Sequence, residues 1–191
     1  MTLKLGMNEL WPTPVYKGEI EDKALLERLL QSAFVNVDLD KPSSDFQSFD
    51  ILSDGPKEFV DFRDEVVYPA FTDYMDALGY DINDFYDAHV RSWITGVRNG
   101  YMIPIHNHSG ASFSAVFYLL CESMNEGGEL VLTDPRTNAN RGYKDQFKKM
   151  FNNETYLPKS GEFIIFPSYL YHHTIAFTGN MRIAMPVDLF L

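Results

Sequence analysis

The chain has 191 residues, 45% of them hydrophobic and 15% aromatic, which fits one globular domain with a sizeable core. Sixteen Lys and Arg residues against 27 Asp and Glu leave a formal net charge of −11, which argues against broad binding to a nucleic-acid backbone. The single cysteine, Cys121, excludes an internal disulfide framework and predicts a reducing, cytoplasmic compartment. We see no apolar run near the roughly 20 residues that span a bilayer and no signal-peptide pattern at the N-terminus, so we expect an intracellular protein that does not enter membranes.

The first ninety residues are predicted to be largely helical. Residues 20–34 carry apolar side chains at helical spacing behind an acidic start, which is typical of a helix. Residues 38–54 are polar and rich in turn formers, so we expect a loop there, and a second helix is predicted from Pro56 to about Leu78. The stripe predicted to face the core in the first helix consists of Leu25, Leu26, Leu29, Leu30 and Phe34.

From about His89 the chain changes to short runs rich in Val, Ile, Phe and Tyr, separated by Gly, Pro, Asn and Asp, which is typical of strands and turns. The predicted strand runs are 89–97, 113–121, 128–134, 162–166, 172–177 and 181–191. Six or more short strands after two helices predict a mainly β fold, a sandwich or barrel with flanking helices on its outside. We expect one domain over residues 1–191, with 1–88 as a largely helical support, 89–191 as the core and 135–156 as a polar excursion between strands.

Four of the five histidines fall in two tight groups, His106 with His108 and His172 with His173. Side chains at positions i and i+2 of a strand point to the same face, so His106 and His108 can converge on one point inside a barrel. A third imidazole from a distant strand would complete a metal site with open positions, as in non-haem iron oxygenases, although imidazole also suits Zn or Cu. The alternatives are two surface histidines at 106 and 108, and a loop with one core and one solvated imidazole at 172 and 173. Trp93, which precedes the histidines in an apolar run, is predicted to be a core residue.

Arg182 lies ten residues after His172, within the apolar run 181–191. An arginine amid strand residues is unusual, because its charge must be paired if it is buried. Two interpretations stay open at this point. The guanidinium either recognises a ligand carboxylate with two hydrogen bonds, or it lies at a barrel end and pairs with Asp188 or another acid.

Together these motifs resemble a known family. Their order is His-x-His at 106–108, Phe-Ser-Ala-Val-Phe-Tyr-Leu at 113–119, Gly-Gly-Glu-Leu-Val-Leu-Thr-Asp-Pro-Arg at 127–136, Gly-Glu-Phe-Ile-Ile-Phe-Pro-Ser at 161–168, His172 and Arg182. This order is similar to the Fe(II)/2-oxoglutarate-dependent oxygenase superfamily, and more closely to oxygenases of bacteria and their tailed phages, in a His-x-His variant. The resemblance covers most of the chain and is strongest from Trp93 to Leu191.

The resemblance implies a double-stranded β-helix (jelly-roll, cupin-like) core that holds Fe(II) near one end. It implies that His106 and His172 are iron ligands and that Arg182 grips the far carboxylate of the cosubstrate 2-oxoglutarate. Tyr118 falls where relatives place a tyrosine against the same carboxylate, although an ordinary core aromatic is an equally good interpretation.

Two ligand assignments stay open. His108 stands where the superfamily usually has a carboxylate, so it is either the third ligand, which we predict, or a supporting residue with Asp134 as the acidic ligand. On a strand, His172 and His173 face opposite ways, so only one of them can ligate easily. We predict His172, with His173 as the alternative.

The activity that the resemblance implies is hydroxylation of an unactivated C–H bond by O2, with conversion of 2-oxoglutarate to succinate and CO2. We expect a protein side chain or a small metabolite as the substrate, in the cytoplasm, which is the host cytoplasm if the gene belongs to a phage. Two rivals remain. One is a cupin-like three-histidine metalloenzyme that does not use 2-oxoglutarate, and the other is a jelly-roll binding or assembly protein without catalysis.

Overall fold

The computed structural model describes residues 12–36, 38–39, 50–122, 127–136 and 153–191. The strands in these ranges are β1 (Tyr16–Glu19), β2 (His89–Ser92), β3 (Thr95–Val97), β4 (Phe113–Cys121), β5 (Leu130–Leu132), β6 (Glu154–Tyr156), β7 (Glu162–Pro167), β8 (His172–Thr174) and β9 (Arg182–Phe190). They form two sheets in which neighbouring strands are antiparallel. The larger sheet has the order β1-β7-β4-β9-β2, with β3 also paired to β9, and the smaller sheet has the order β6-β5-β8.

The helices lie in the first half of the described chain. They are α1 (Lys23–Asn36), α2 (Ile51–Asp54), α3 (Lys57–Phe62) and α4 (Tyr68–Ala77), with a π-helical turn at Arg63–Val67 and a 3₁₀ turn at Ile82–Asp84. The π-helical turn joins α3 to α4 and ends two residues before Pro69, whose ring and missing N–H would interrupt a continuous α-helix at this point. No helix within the described ranges combines the length and apolarity that crossing a membrane requires.

Side chains of the central strands alternate between two faces of the larger sheet, as strand geometry requires. The β4 residues on the helix face are Ala115, Phe117 and Leu119, and those facing the smaller sheet are Val116 and Tyr118. The β9 residues facing the smaller sheet are Arg182, Ala184, Pro186 and Asp188. The alternation therefore places both charged residues of β9 in the space between the sheets.

The predicted strand runs and the two predicted helices are present, and the mainly β class with flanking helices is confirmed. Two strands were not predicted. β6 lies in the stretch expected to be a polar excursion, most of which falls outside the described residues, and β1 lies in the region expected to be helical. β1 pairs with β7, which follows it by about 140 residues, so its hydrogen bonds have no local signature in the sequence. The division at residue 88 stays a prediction.

Two local predictions were wrong. Phe34 was expected on the buried stripe of α1 but is 54% exposed, and Ala33 is buried in its place, because the core-facing positions Leu25, Leu29 and Ala33 recur every four residues. The predicted loop 38–54 ends in α2, because the Asp50 carboxylate caps that helix by accepting the Leu52 N–H at 3.1 Å. Residues 40–49 of that loop lie outside the described ranges.

Gly18 provides a test of where β1 lies. A Cβ atom at this position would come within 2.2 Å of the Phe163 ring in β7, and that ring is stacked on Phe117 with the centroids 4.9 Å apart. We expect Gly18→Ala to lower the free energy of unfolding by about 1–3 kcal/mol, the usual cost of overpacking. The exposed neighbour Glu19 provides the control, and Glu19→Ala should change the free energy of unfolding by less than about 0.5 kcal/mol. Denaturant unfolding measures both, and equal effects would contradict the β1–β7 pairing.

Candidate metal centre

Three of the predicted histidines come together in the space between the sheets. One ring nitrogen from each of His106, His108 and His172 lies within 4.8 Å of the others. His172 belongs to β8, and His106 forms a single bridge with it through two backbone hydrogen bonds of 2.9 and 2.8 Å. The backbone N–H of His108 donates to the backbone carbonyl of Ser168 at 3.2 Å. Residues 106–108 do not form a regular strand beyond this bridge, and the bridge together with the hydrogen bonds of His108 brings the rings together.

In all three rings Nδ1 lies beside an oxygen atom. His106 and His172 each have Nδ1 next to the backbone carbonyl two residues earlier, at 2.7 and 2.9 Å, and the Nδ1 atom of His108 is 2.5 Å from Oδ1 of Asp188. A carbonyl oxygen only accepts hydrogen bonds, and a carboxylate does the same, so we assign the ring hydrogen to Nδ1 in each case. This assignment leaves Nε2 of each ring with a free lone pair.

Burial favours the uncharged form of two of these rings. Burial lowers the pKa of His106, and it lowers the pKa of His172, which is 4% exposed, to about 3. A neutral imidazole with an unprotonated nitrogen is the form that binds metal ions. At neutral pH, His106 and His172 are therefore ready to ligate without first losing a proton.

The three nitrogen atoms fit one metal ion. Imidazole nitrogens bind a metal at about 2.1 Å, so two of them lie at most roughly 4.2 Å apart around one ion. The observed limit of 4.8 Å requires only small side-chain shifts to meet this condition. Three imidazoles leave open coordination positions, and Fe, Zn and Cu all accept such a donor set. Among the residues that the structure describes, this is the one cluster of its kind.

His173 lies on the opposite side of β8 from the cluster. It pairs with Val131 of β5, whereas His172 pairs with the next residue, Leu132. The Nδ1 atom of His173 is buried without a hydrogen-bond partner. The structure thus brings His172, and not His173, to the other two histidines.

Arg182 extends into the same cavity and is 1% exposed. Its Nη1 donates to the Gly128 carbonyl at 2.5 Å, while its Nε is buried without a hydrogen-bond partner. Within the described ranges it forms no ion pair, because Asp188, considered as its partner, bonds to His108 instead. Burial lowers the pKa of the guanidinium, so a carboxylate placed here would both neutralise a costly buried charge and accept the free Nε–H.

A tight glycine turn supplies the carbonyl that Arg182 contacts. Gly127 and Gly128 have φ angles of 82° and 77°, a conformation that side chains rarely adopt. A Cβ atom at Gly127 would also lie 2.4 Å from the Ala176 carbonyl oxygen. The turn before β5 therefore requires glycine, and it places the Gly128 oxygen where Nη1 of Arg182 can donate to it.

Tyr118 of β4 lines the cavity together with Arg182. Its side chain is buried, and burial raises the pKa of its hydroxyl, so the hydroxyl keeps its proton and can donate a hydrogen bond to an anion. The cavity has a volume of about 720 Å³, within the range of small-molecule sites. It extends from the histidine cluster to Arg182, so it can hold a small dicarboxylate between the two.

Two residues of the site were not assigned to it from the sequence. Asp188 is 7% exposed, and its Oδ1 contacts both Nδ1 of His108 and Oγ of Ser114, the latter at 2.7 Å. Trp93, expected in the core, is only half-buried and lines the cavity with its ring centroid 5.5 Å from that of His108. The contacts of Asp188 join residues 80 and 74 positions apart, so no local pattern could have revealed them.

Asp134, the acid considered as a third ligand, lies outside the cluster. Both of its carboxylate oxygens bond to Arg136, at 2.9 and 2.7 Å, and this pair lines a second, separate pocket. The fifth histidine, His89, is exposed and stacks on Phe190 with the centroids 5.1 Å apart, as expected of a surface histidine. Neither residue contributes to the metal-binding arrangement.

A family model described as "Putative 2OG-Fe(II) oxygenase" matches residues 91–188, which is just over half of the chain. The matched range contains the three clustered histidines, Tyr118, Arg182 and Asp188. No curated protein matches the chain.

The fold is similar to solved structures of prolyl hydroxylases. A prolyl-4-hydroxylase of Pseudomonas putida has 16% identity and a TM-score of 0.59, covering 92% of this chain and 91% of that chain. A prolyl hydroxylase of Trichoplax adhaerens, in complex with a hypoxia inducible factor peptide fragment, has 13% identity and a TM-score of 0.62, covering 92% and 83%. A viral collagen prolyl hydroxylase of Paramecium Bursaria Chlorella virus-1, in its 2OG complex, has 12% identity and a TM-score of 0.58, covering 92% and 94%. These identities establish the fold alone, and the predicted double-stranded β-helix core is confirmed.

Proposed function

The chain belongs to the 2OG-Fe(II) oxygenase family, and we propose that His106, His108 and His172 hold its Fe(II) ion while Arg182 and Tyr118 bind 2-oxoglutarate. The resemblance found in the sequence is thereby confirmed at the level of the family. Members of this family are dioxygenases that use Fe(II), 2-oxoglutarate and O2. The free cysteine Cys121 is consistent with work in a reducing cytoplasm, which we also propose.

The observation that carries the metal assignment is the common orientation of the three rings. Each has Nδ1 engaged with an oxygen atom, and each therefore offers Nε2 to the same small volume. Unrelated surface histidines have no reason to share this arrangement. A hydrogen bond from Nδ1–H to an oxygen atom is the usual means by which proteins orient metal-binding imidazoles.

Arg182 supports the assignment of 2-oxoglutarate as the cosubstrate. A buried guanidinium with an unsatisfied Nε–H favours a ligand that brings a carboxylate of its own. The Tyr118 hydroxyl, protonated because it is buried, would donate to the same group. The rival interpretation that His108 favours is a three-histidine enzyme that does not use this cosubstrate. In such an enzyme the buried charge of Arg182 would have no ligand carboxylate to pair with.

When bound, the iron and 2-oxoglutarate supply the oxidising chemistry, in which one atom of O2 enters a substrate C–H bond and the other enters succinate, with release of CO2. The residues of the chain orient and enclose these reactants. Arg182 would hold one carboxylate of the cosubstrate and the three histidines would hold the iron, while the apolar side chains of Val116, Leu130 and Ala184 in the cavity wall limit access of water.

We propose a polypeptide side chain as the substrate, in preference to a small metabolite. The segments 101–109 and 168–175, which carry the three histidines, pair with each other and expose large apolar side chains. These side chains are Tyr101, Met102, Ile105, Tyr169, Tyr171 and Ile175. Such a surface beside the cavity favours a ligand that extends beyond it. With a net charge of −11, the protein favours a neutral or basic peptide over an acidic one.

The decisive experiment adds Fe(II) to metal-free protein without oxygen and then adds 2-oxoglutarate. We expect one iron per chain and a visible metal-to-ligand charge-transfer band that appears only with the cosubstrate. Iron without this band would favour the cupin-like enzyme. A chain that binds no iron would contradict the oxygenase assignment and favour the non-catalytic binding protein.

The substrate class is tested by succinate formation with defined peptide mixtures. We expect neutral or basic peptides to stimulate turnover and to gain 16 Da, one oxygen atom, in mass spectrometry. Stimulation by small metabolites alone would contradict the polypeptide proposal while leaving the oxygenase assignment intact.

A further inference from the structure

Asp188 is a buried carboxylate whose described side-chain hydrogen bonds connect it to the histidine cluster. Its Oδ1 accepts hydrogen bonds from Nδ1 of His108 at 2.5 Å and from the Ser114 hydroxyl at 2.7 Å. The Ser114 hydroxyl is also 2.8 Å from the Ser168 hydroxyl. The backbone carbonyl of Ser168 in turn accepts a hydrogen bond from the backbone N–H of His108. These four residues form one buried network behind a single ring of the cluster.

Among the described residues no lysine or arginine forms an ion pair with Asp188, although Arg91 lies opposite it on β2. Its ion-pair partner there is His108, and Arg182 lies six positions earlier on the same strand with its Nη1 on the Gly128 carbonyl. Burying an ionised carboxylate costs free energy unless a cation compensates it. A metal ion on Nε2 of His108 would supply a compensating positive charge through the ring, and in the absence of metal a proton on the same atom would do so.

The other two histidines are oriented differently. His106 and His172 donate Nδ1–H to backbone carbonyls two residues earlier, which are neutral and fixed by local chain geometry. Only His108 is held by an ionisable side chain, from a strand 80 residues away. His108 also stands at the position where the resemblance leads one to expect a carboxylate ligand, so the cluster itself carries no negative charge.

We propose that Asp188 is a positioning residue that keeps the hydrogen of His108 on Nδ1, aims Nε2 at the metal, and supplies through this ring the negative charge that a direct carboxylate ligand would otherwise provide. This inference rests on the proposed metal site. A carboxylate behind a ligating imidazole makes the ring a stronger donor, and loss of such a partner typically lowers metal affinity about 10- to 100-fold. Ser114 orients the carboxylate, so its loss should have a smaller effect.

The first test measures Co(II) and, without oxygen, Fe(II) binding to the full chain by competition with a chelator. We expect Asp188→Asn, which keeps the shape but removes the charge, to weaken binding about 10- to 100-fold, and Ser114→Ala to weaken it only several-fold. Asp76→Asn is the matched control, because Asp76 is an exposed aspartate of α4 outside the cavity lining, and its affinity should equal that of the wild type.

The second test requires no metal, and its first measurement requires no variant. Long-range ¹⁵N–¹H NMR of the histidine rings distinguishes the two neutral tautomers, and we expect the Nδ1–H form for His108 in the metal-free wild type. In Asp188→Asn we expect His108 to populate both tautomers, while His106 and His172 keep the Nδ1–H form because their acceptors are unchanged.

The possible outcomes are distinct. Wild-type affinity in Asp188→Asn, or an Nε2–H tautomer of His108 in the wild type, would overturn the role of Asp188 while leaving the iron site standing. A wild-type chain that binds neither Co(II) nor Fe(II) would overturn the proposed function itself. If Asp188→Asn does not fold, the tautomer of the wild-type ring and the affinity of Ser114→Ala decide the matter.

Discussion

Replacing His172 by alanine is expected to abolish iron binding and 2-oxoglutarate turnover. The ring supplies one of three nitrogen ligands and is buried in the cavity wall between β5 and the 106–108 segment. Loss of a group that only supports a ligand already costs about 10- to 100-fold in metal affinity, so loss of the ligand should cost more than about 100-fold. Anaerobic Fe(II) titration and succinate formation measure the two effects.

The adjacent histidine provides an unusually close control. His173→Ala removes the same side chain one position away, on the other face of β8, where its Nδ1 has no hydrogen-bond partner to lose. We expect this variant to bind iron as the wild type does. Equal losses in both variants would show that the effect arises from disruption of β8, and a loss confined to His173→Ala would move the metal site to the other face of the sheet.

Replacing Arg182 by methionine is expected to weaken 2-oxoglutarate binding without lowering the stability of the metal-free protein. Removing one partner of a buried charged hydrogen bond typically costs about 2–5 kcal/mol in binding, which is roughly 30-fold or more in the apparent KM for 2-oxoglutarate. The unliganded fold, in contrast, buries an uncompensated charge, and an apolar side chain of similar volume is often neutral or stabilising at such a site. Enzyme kinetics and denaturant unfolding separate the two effects.

Arg91 is the matched control for this prediction. It lines the same cavity but is exposed, so Arg91→Met should change neither the KM for 2-oxoglutarate nor the stability by more than a small amount. If Arg182→Met bound the cosubstrate normally but unfolded more easily, Arg182 would be a structural residue and the cosubstrate would bind elsewhere.

Much of the fold could be predicted because its strands are marked locally. The run 113–121 alternates between two buried faces and contains β-branched and aromatic residues, and turn formers bound it on both sides. β1 has no such mark. It is four residues long and contains a glycine. It becomes a strand because the fold brings it next to β7, a pairing that closes a long loop of chain.

The sequence by itself determined which residues could carry the chemistry. Histidines are rare in this chain, the spacing His-x-His and the arginine within an apolar run stand out from it, and the order of the motifs is sufficient for assignment to the family. These are properties of composition and spacing, which are read along the chain without knowledge of contacts.

Only the tertiary structure decided how these residues meet. The register of β8 against β5 determines that His172 and not His173 faces the cavity, since a shift of one residue would exchange the two faces. The register of β9 against β4 brings Asp188 to Ser114 and behind His108, and it leaves Arg182 without an acidic partner in the described chain. Strand register depends on the packing of side chains that are far apart in the sequence, and a local sequence pattern does not contain that information.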